Sequence, residues 1–448
     1  MLLAITERLS FARALRSRRF TWLWNGQTVS ALGDGAFATA LSWQVLKLTG
    51  SGAAMGFTLV AQTIPIVLFM LIGGVVADRL PRRLTLLWSD AGRGVVTLIV
   101  AALGIANLLA FWHLLALAFL FGLAEAFFRP AYQSIPPELV PTEDLSSANA
   151  LTSLSRNLSM LLGPALGAAL VALSSASLAF AFDGLTFVVS ALCLLAMGDV
   201  GRHPRASDAP ASLTAESDIR PGFGSLEIEP PALDEASGAQ GSRLRVLLAD
   251  IREGIGYITD STWLWLTIAL ASLGNVALAP LQVALPKLVA DVYHQGVWLL
   301  GATLTASAVG SILAALVMGQ IKRIRRRGWL AYLALVVSAS AELSFGTPFA
   351  RGNLPLAPLA ASALIGASLG VFEIIWVTTL QEMIPADKLG RVSSVDWMGS
   401  LILQPVGLAI VGVLTDAQGP AWVFIAGGAL SLALALIGLS TRAIRALD

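Results

Sequence analysis

About twelve apolar stretches, nearly free of charge, constrain this chain more than anything else in it. A bilayer core about 30 Å thick is crossed by roughly 20 apolar residues in helical form. The stretches run approximately from Phe20 to Leu46, Ala53 to Val76, Leu84 to Ala106, Trp112 to Phe128, Ala148 to Leu173, Ser177 to Met197, Trp263 to Leu285, Trp298 to Gln320, Trp329 to Phe349, Leu354 to Leu380, Val392 to Leu414 and Ala421 to Leu439. Unbroken runs rich in Leu, Ala and Gly cannot supply the alternation of a lipid-facing barrel, so an all-α integral membrane protein is predicted. Composition agrees, since 56% of the 448 residues are hydrophobic and only 13% charged, at a mean hydropathy of +0.76.

The net charge of +1 says nothing about partners, and no nucleic acid is expected among them. The distribution of charge is informative. With the amino terminus placed in the cytoplasm, the inner segments collect Arg8, Arg13, Arg16, Arg18 and Arg19, then Arg79, Arg82 and Arg83, then Lys322 to Arg327, and finally Lys388, Arg391, Arg442 and Arg445. The outer loops keep Lys47, Lys287 and Arg351. The positive-inside rule then predicts a multi-pass cell-membrane protein with both termini cytoplasmic. The lone Cys193 excludes an intramolecular disulfide. The basic amino terminus lacks a short apolar core with a small-residue cleavage site, so no removable signal peptide is expected.

Residues 199–242 are rich in Pro, Ser, Ala and acids and read as a flexible cytoplasmic linker. Beyond it, Leu244, Leu247, Leu248, Ile251, Ile255 and Ile258 recur at helical spacing among charges, predicting an amphipathic cytoplasmic helix over 243–260. The flanks, 1–198 and 261–448, resemble each other. A shift of 241 lays TWLW at 21–24 on TWLW at 262–265, and Gly33-Asp34 on Gly274-Asn275. A shift of 245 lays Gly74 and Arg82 on Gly319 and Arg327, and one of 244 lays LVPTEDL at 139–145 on MIPADKL at 383–389 and Gly163 on Gly407. A six-helix unit used twice in parallel is therefore predicted, about an axis along the membrane normal, as suits a rocking transporter.

The stretch GGVVADRLPRR at 73–83, read as the loop after the second span, resembles the signature of the major facilitator superfamily, with Gly74, Asp78, Arg79, Arg82 and Arg83 at matching positions. Pro81 stands where that family usually has Gly, and in the second copy Arg323 takes the place of the acid. The resemblance implies that the first copy packs the halves together on the cytoplasmic side, with Asp78 facing the start of the eleventh span. The plainer alternative is a merely basic inner loop. SMLLGPALGAAL at 159–170 is similar to the family's antiporter motif at Gly163, Pro164 and Gly167, although small residues at this spacing also serve simple helix packing. SALGD at 30–34, FRPAYQSIPPELV at 128–140, SSANAL at 146–151 and FAFDGLTFVVSAL at 180–192 resemble the drug:proton antiporter branch that includes macrolide, tetracycline and siderophore exporters.

Asp34 lies midway along the first span, where an ionised carboxylate costs roughly 2.5–3.5 kcal/mol. Gln27, Ser30, Asp34 and Phe37 share one helical stripe, which faces protein or water rather than lipid. The family resemblance implies a central cavity lined by the first, fourth, seventh and tenth spans, across which Asp34 would face Asn275. Asp34 then reads as a proton carrier that attracts cationic substrate, or as a structural acid bonded to nearby backbone. Glu125 with Arg129 four residues on reads equally as a structural pair or a cavity acid. Glu373, aligned with Arg129, and Trp376 nearby are further cavity candidates, with Gln282. Antiporters of the superfamily often carry an Arg within the upper fourth span, where this chain has Leu and Ala. Asp90 with Arg93 reads as a helix-surface pair, Asp183 as structural, and Glu342 has no assigned place.

No Lys follows Gly as in a phosphate-binding loop, which excludes an ATP-driven pump of that kind. His113, His203 and His294 are isolated, without metal-ligand spacing. Neither cofactor nor enzyme activity is expected. A channel would need no such charge asymmetry and shows no filter-like motif. The reading is a monomeric secondary transporter working by alternating access, with protons, lipid and a small molecule as partners: a proton-coupled exporter of amphipathic or cationic compounds, or alternatively a dedicated siderophore-type exporter or lysophospholipid carrier.

Overall fold

A computed structural model describes residues 10–198, 255–321, 324–347 and 356–447. Among them the regular structure is helical, without strands. The first half contains α1 (Arg18–Thr49), α2 (Gly52–Arg79), α3 (Arg82–Ile105), α4 (Phe111–Ser134), α5 (Leu145–Leu173) and α6 (Ala176–Met197). The second contains α7 (Thr262–Val292), α8 (Val297–Met318), α9 (Arg327–Gly346), α10 (Leu356–Met383), α11 (Ala386–Leu401, continuing as Gln404–Gln418) and α12 (Pro420–Ser440). Eleven of these are long and apolar enough to cross a membrane. The remaining one, α1, has the length at 32 residues but carries more polar side chains, among them Gln27 and Asp34.

Three spans depart from the sequence reading, each at proline. The segment at 73–83 is not a loop: α2 runs on to Arg79, and only Leu80 and Pro81 separate it from α3. Pro81 has no N–H to donate and disfavours helix at the residue before it, which places the break there. Helix α7 is interrupted after Ala277 and resumes through short turns at Pro280–Val283 and Leu285–Lys287 and a π turn at Leu288–Val292. In α11, Pro405 cannot bond back to Leu401, and the helix breaks at residues 402 and 403. The predicted linker at 199–242 lies outside the described residues. Of the predicted amphipathic helix, residues 255–260 are described and helical, with Ile258 buried against Leu264, Leu380 and Val392.

Within the first half, α1 packs on α5 and α6, α2 on α4, and α3 on α4 and α6. In the second half, α7 packs on α11 and α12, α8 on α10, and α9 on α10 and α12. The bundles meet where α2 lies against α11 and α5 against α8. Both interfaces rest on a glycine at the same repeat position. A Cβ at Gly56 would stand 2.5 Å from the Leu408 carbonyl oxygen and 3.2 Å from Gly412 Cα. A Cβ at Gly301 would stand 2.7 Å from the Pro164 carbonyl oxygen and would collide with Ala168. Gly301 lies 245 residues after Gly56, and Leu408 and Gly412 lie 244 after Pro164 and Ala168, so the repeat read in the sequence is the repeat of the interfaces. Close backbone approach of this kind gives helices in lipid their dispersion contact.

The α2–α11 contact carries ions as well. Asp416 accepts hydrogen bonds from Ser51 Oγ at 2.5 Å, Gly52 N at 2.6 Å and Ala53 N at 3.0 Å, so a carboxylate of the second half caps the first turn of α2. Lys287 stands 3.5 Å from Asp416 and donates to the carbonyl of Gly50, whose left-handed φ of 63° ends α1. Four chain segments thus meet at the end of the molecule away from Arg82 and Arg327.

Leucine at Gly56 or Gly301 has no space, and overpacking of this kind costs about 1–3 kcal/mol. Gly56→Leu and Gly301→Leu are expected to lower the thermal unfolding midpoint of the purified protein in detergent by several degrees, whereas Gly92→Ala, where a Cβ meets nothing within 4 Å, leaves it unchanged or raises it.

Candidate functional site

Between the halves lies a cavity of about 350 Å³. Asp34, Phe37 and Ser42 of α1, Gln62 of α2, Glu125 and Arg129 of α4, Gln282 of α7 and Leu304 of α8 line it. Phe37 stacks on Phe121 with ring centroids 4.7 Å apart and 6° between planes, fixing the wall from which Asp34 projects. Asp34 is 37% exposed in its side chain, yet its Oδ1 is buried and accepts no hydrogen bond among the described residues. That oxygen stands 3.9 Å from Nη1 of Arg93.

Arg93 organises the site. Its side chain is 1% exposed and reaches three carboxylates: Asp90 Oδ1 at 2.6 Å, Glu125 Oε2 at 3.2 Å and Asp34 at 3.9 Å. The guanidinium lies over Phe128 at 4.4 Å and Phe187 at 4.5 Å, so aromatic faces cover it where water would otherwise stand. Asp90 is itself fully buried; its Oδ2 accepts from Gln27 Nε2 at 3.0 Å and from Ser190 Oγ at 2.6 Å. Gln27 donates to Ser190 as well, at 2.8 Å. Arg129 closes the chain on the cavity side with its Nε 2.7 Å from Glu125 Oε1. Asp183 is fully buried and lies beside Gly33, the neighbour of Asp34 in α1; its carboxyl oxygens have no hydrogen-bond partner among the described residues, while its backbone carbonyl accepts from Thr186 Oγ1 at 2.7 Å.

Several placements differ from the sequence reading. Gln27 does not line the cavity; it points into the first bundle, to Asp90. Asp90 and Arg93 are not a helix-surface pair but lie, like Asp183, buried inside that bundle. Asn275 does not face Asp34. Its Nδ2 donates to the Ser400 carbonyl at 2.9 Å, and it lines a second cavity, of about 520 Å³, inside the second half. Glu373 and Trp376 line that second cavity too, with Asp396, whose Oδ2 accepts from Trp376 Nε1 at 3.2 Å. Glu342 is buried in α9 and accepts from Ser431 Oγ at 3.0 Å. Arg93 and Asp396 went unassigned to any site in the sequence. A usable signal for Arg93 was its position well inside the third span, where a permanent cation cannot face acyl chains.

The signature segment works through helix ends. Arg82 Nη1 donates to the Ser134 carbonyl at 2.8 Å and pairs with Glu138, while Arg83 Nε donates to the Leu194 carbonyl at 2.7 Å, so cations neutralise the C-terminal carbonyls of α4 and α6. Arg327, the repeat counterpart of Arg82, pairs with Glu382 at 2.6 Å. Gly74, Asp78 and Arg79 lie in α2, but their side chains and the expected contact of Asp78 with the eleventh span are outside the described residues. A Cβ at Gly163 would stand 2.6 Å from Gly35 Cα and one at Gly167 2.8 Å from Ala36 Cα, so this motif seats α5 directly beside Asp34, and Pro164 continues to α8.

Two repeated bundles of membrane-spanning helices around a cavity with a buried charge cluster define a polytopic protein of the secondary-carrier architecture. The family model of the Major Facilitator Superfamily matches residues 23–400, and the chain belongs to that superfamily. It is 22% identical over 441 residues to Macrolide efflux protein A of Streptococcus pyogenes, covering 96% of this chain and 97% of that protein. It is 27% identical over 425 residues to Multidrug efflux pump Tap of Mycolicibacterium fortuitum, covering 91% of each. Among solved structures, a bacterial homologue of the iron transporter ferroportin in an inward-facing state superposes with a TM-score of 0.66 at 16% identity, over 95% of this chain and 99% of that one, a likeness of fold.

Removing the partner of a buried ion costs about 3–5 kcal/mol, whereas an exposed pair contributes about 0–1 kcal/mol. Arg93→Leu is therefore expected to destabilise the protein far more than Arg129→Leu, whose side chain is 44% exposed, as read by thermal unfolding in detergent. Coupling the first change with Asp90→Leu restores part of the loss, because the carboxylate bonded most closely to Arg93 is then no longer left buried without its cation.

Proposed function

We propose that this protein is a proton-coupled exporter of small amphipathic or cationic compounds, working as a monomer by alternating access in the cell membrane, with both termini cytoplasmic. The observation that carries the reading is the position of Asp34. One of its oxygens is turned to the buried Arg93, and the rest of the carboxyl stands on the wall of the cavity between the halves.

The chemistry follows from charge. Asp34, Asp90, Glu125 and Asp183 gather around Arg93 and Arg129, so carboxyl groups outnumber guanidiniums, in surroundings where an unbalanced charge is costly. Asp34 and Glu125 are the members of the group that both reach Arg93 and line the cavity, and of the two Asp34 has no hydrogen bond to the guanidinium. Ionised, it is drawn to Arg93 and presents a negative wall to a cationic substrate. On taking a proton it releases that attraction, and the substrate loses its counter-charge. Proton and substrate then compete for one carboxylate, which is the requirement of an exchanger.

Alternating access is supported by the interfaces. The halves are held by two glycine contacts in matching register, and at one end by Asp416 on the first turn of α2 with Lys287 on the carbonyl of Gly50, the residue that follows α1. These bonds close the cavity on the face that the positive-inside rule puts outside the cell. Breaking them costs a helix cap and one partly covered ion pair, a small contact for an interface that must open in each cycle. The efflux direction is supported by the names of the two relatives, one a macrolide efflux protein and one a multidrug efflux pump.

In proteoliposomes with an imposed proton gradient, Asp34→Asn is expected to lower gradient-driven transport of ethidium at least about tenfold, a loss of transition-state stabilisation near 1.4 kcal/mol, while leaving exchange without a gradient measurable. Full gradient-driven transport by this variant would end the proton assignment. The closing contact is tested separately with a cysteine at Ser42, on the cavity wall, in a Cys193→Ser background. Asp416→Asn is expected to raise its labelling by an impermeant maleimide from outside the cell severalfold; unchanged labelling would show that this contact does not hold the outer face shut.

A further inference from the structure

The repeat exposes an asymmetry in what fills the two bundles. Arg93 stands eleven residues after Arg82, the first residue of α3, and Ser338 stands eleven residues after Arg327, the first residue of α9. By the offset of 244 that aligns Arg129 with Glu373, Glu125 corresponds to Leu369. Where the first half packs a guanidinium and its carboxylate, the second has a serine and a leucine. Both line the cavity of about 520 Å³ among α7, α9, α10, α11 and α12.

Two polar atoms on its wall lack the partners their burial calls for. Asp396 is 8% exposed and Ser338 2%, and neither Asp396 Oδ1 nor Ser338 Oγ has a hydrogen-bond partner among the described residues. Glu373 adds a second carboxylate, and no lysine, arginine or histidine is among the described residues lining the cavity. The cation that balances the acids of the first half has no counterpart here. Aromatic rings surround the space instead: Phe372 and Trp376 lie nearly parallel, 6° apart with centroids at 6.4 Å, and Tyr332 meets Phe372 edge-on at 6.1 Å. An apolar, aromatic pocket with a few convergent polar groups and unbalanced negative charge is suited to an organic cation.

We infer that the vacated arginine position of the second half is a binding pocket for the ring-bearing cationic portion of a substrate. Asp396 accepts its ammonium or iminium charge, and Trp376 and Phe372 cover its rings. This deepens the export reading by giving the substrate class a place apart from Asp34. In the first half the counter-charge is built in as Arg93; in the second it arrives with the cargo.

The test uses full-length protein in lipid nanodiscs and ethidium as the probe, with affinity read by fluorescence anisotropy without any proton gradient. Asp396→Asn is expected to weaken binding at least about tenfold, and Ser338→Arg, which returns the first-half residue to its repeat position, at least as much. Asp396→Glu keeps the charge and is expected to stay within about threefold. Asp34→Asn is expected to lose gradient-driven transport and to weaken ethidium binding less than Asp396→Asn does, so the two assignments fail separately; a larger loss of affinity at Asp34 than at Asp396 would overturn the pocket assignment. Thermal unfolding and size-exclusion profiles distinguish lost binding from lost fold, and a variant that does not fold is replaced in the comparison by Trp376→Leu, for which the same loss is expected. Wild-type protein that does not bind ethidium, unchanged affinity in folded Asp396→Asn or Ser338→Arg, or equal affinity for a neutral phenanthridine would overturn the pocket assignment. Equal affinity for the neutral compound would mean that the cavity selects shape alone.

Discussion

One guanidinium holds the first half of this protein together. Arg93 is buried among carboxylates from its own helix, from α4 and from α1, and aromatic faces of α4 and α6 close over it. A charge there is tolerable because acids meet its two terminal nitrogens and aromatic faces cover the guanidinium. The other placements follow from that need. Asp90 is fixed by Gln27 and Ser190, so α1, α3 and α6 are locked in rotation relative to one another. With α1 locked, Asp34 is turned to the cavity, and Phe37 stacks one turn further on.

Duplication explains both the symmetry of the scaffold and the difference between its contents. The interfaces need only small residues in register, and those survive in both copies as Gly56 with Gly412 and Gly301 with Ala168. A buried ion cluster is different, because its members are useful only together. In the second copy the cluster is absent as a unit: the repeat positions of Arg93 and Glu125 hold Ser338 and Leu369, and that of Asp34 holds Asn275, bonded within its own bundle to Ser400. Glu342 on α9 finds a hydroxyl in Ser431 rather than a cation. The halves therefore share a shape while, among the described residues, the cavity of the second half has acids on its wall but no cation to match Arg93.

What could be read in the sequence was whatever depends on one helix at a time. Span number, the repeat and its offsets, and the i, i+4 pair of Glu125 with Arg129 are properties of local periodicity, and the structure contains them. Partnership across helices was not readable, because it depends on rotation about each helix axis. The stripe of Gln27, Ser30 and Asp34 fixed a face of α1 but not its neighbour, and Gln27 reaches α3 and α6 while Asp34, two turns on, meets the cavity. The same blindness made Asp90 and Arg93 look like a surface pair, since three-residue spacing is equally that of a solvated helix and of a buried cluster. The breaks in α7 and α11 had a visible cause in Pro280, Pro286 and Pro405, but long apolar runs masked it.

The missing arginine of the fourth span shows how far motif comparison and physical reading diverge. A buried cation is needed near the cavity acids, and the chain supplies it from α3, while the more exposed Arg129 of α4 pairs with Glu125 from the cavity side. Distance and burial decide the matter, not the helix of origin. The guanidinium of Arg93 reaches Glu125 on α4 at 3.2 Å, so the charge arrives at much the same place from the neighbouring helix. A cation held from behind by Asp90 is also less free to follow substrate into the cavity than one projecting from the cavity wall would be. Under the proposed reading that rigidity is an advantage. Asp34 is the member of the cluster that stands on the cavity wall without a hydrogen bond to Arg93, so a proton arriving there changes one weak contact of 3.9 Å and leaves the bonded pair of Arg93 and Asp90 at 2.6 Å intact.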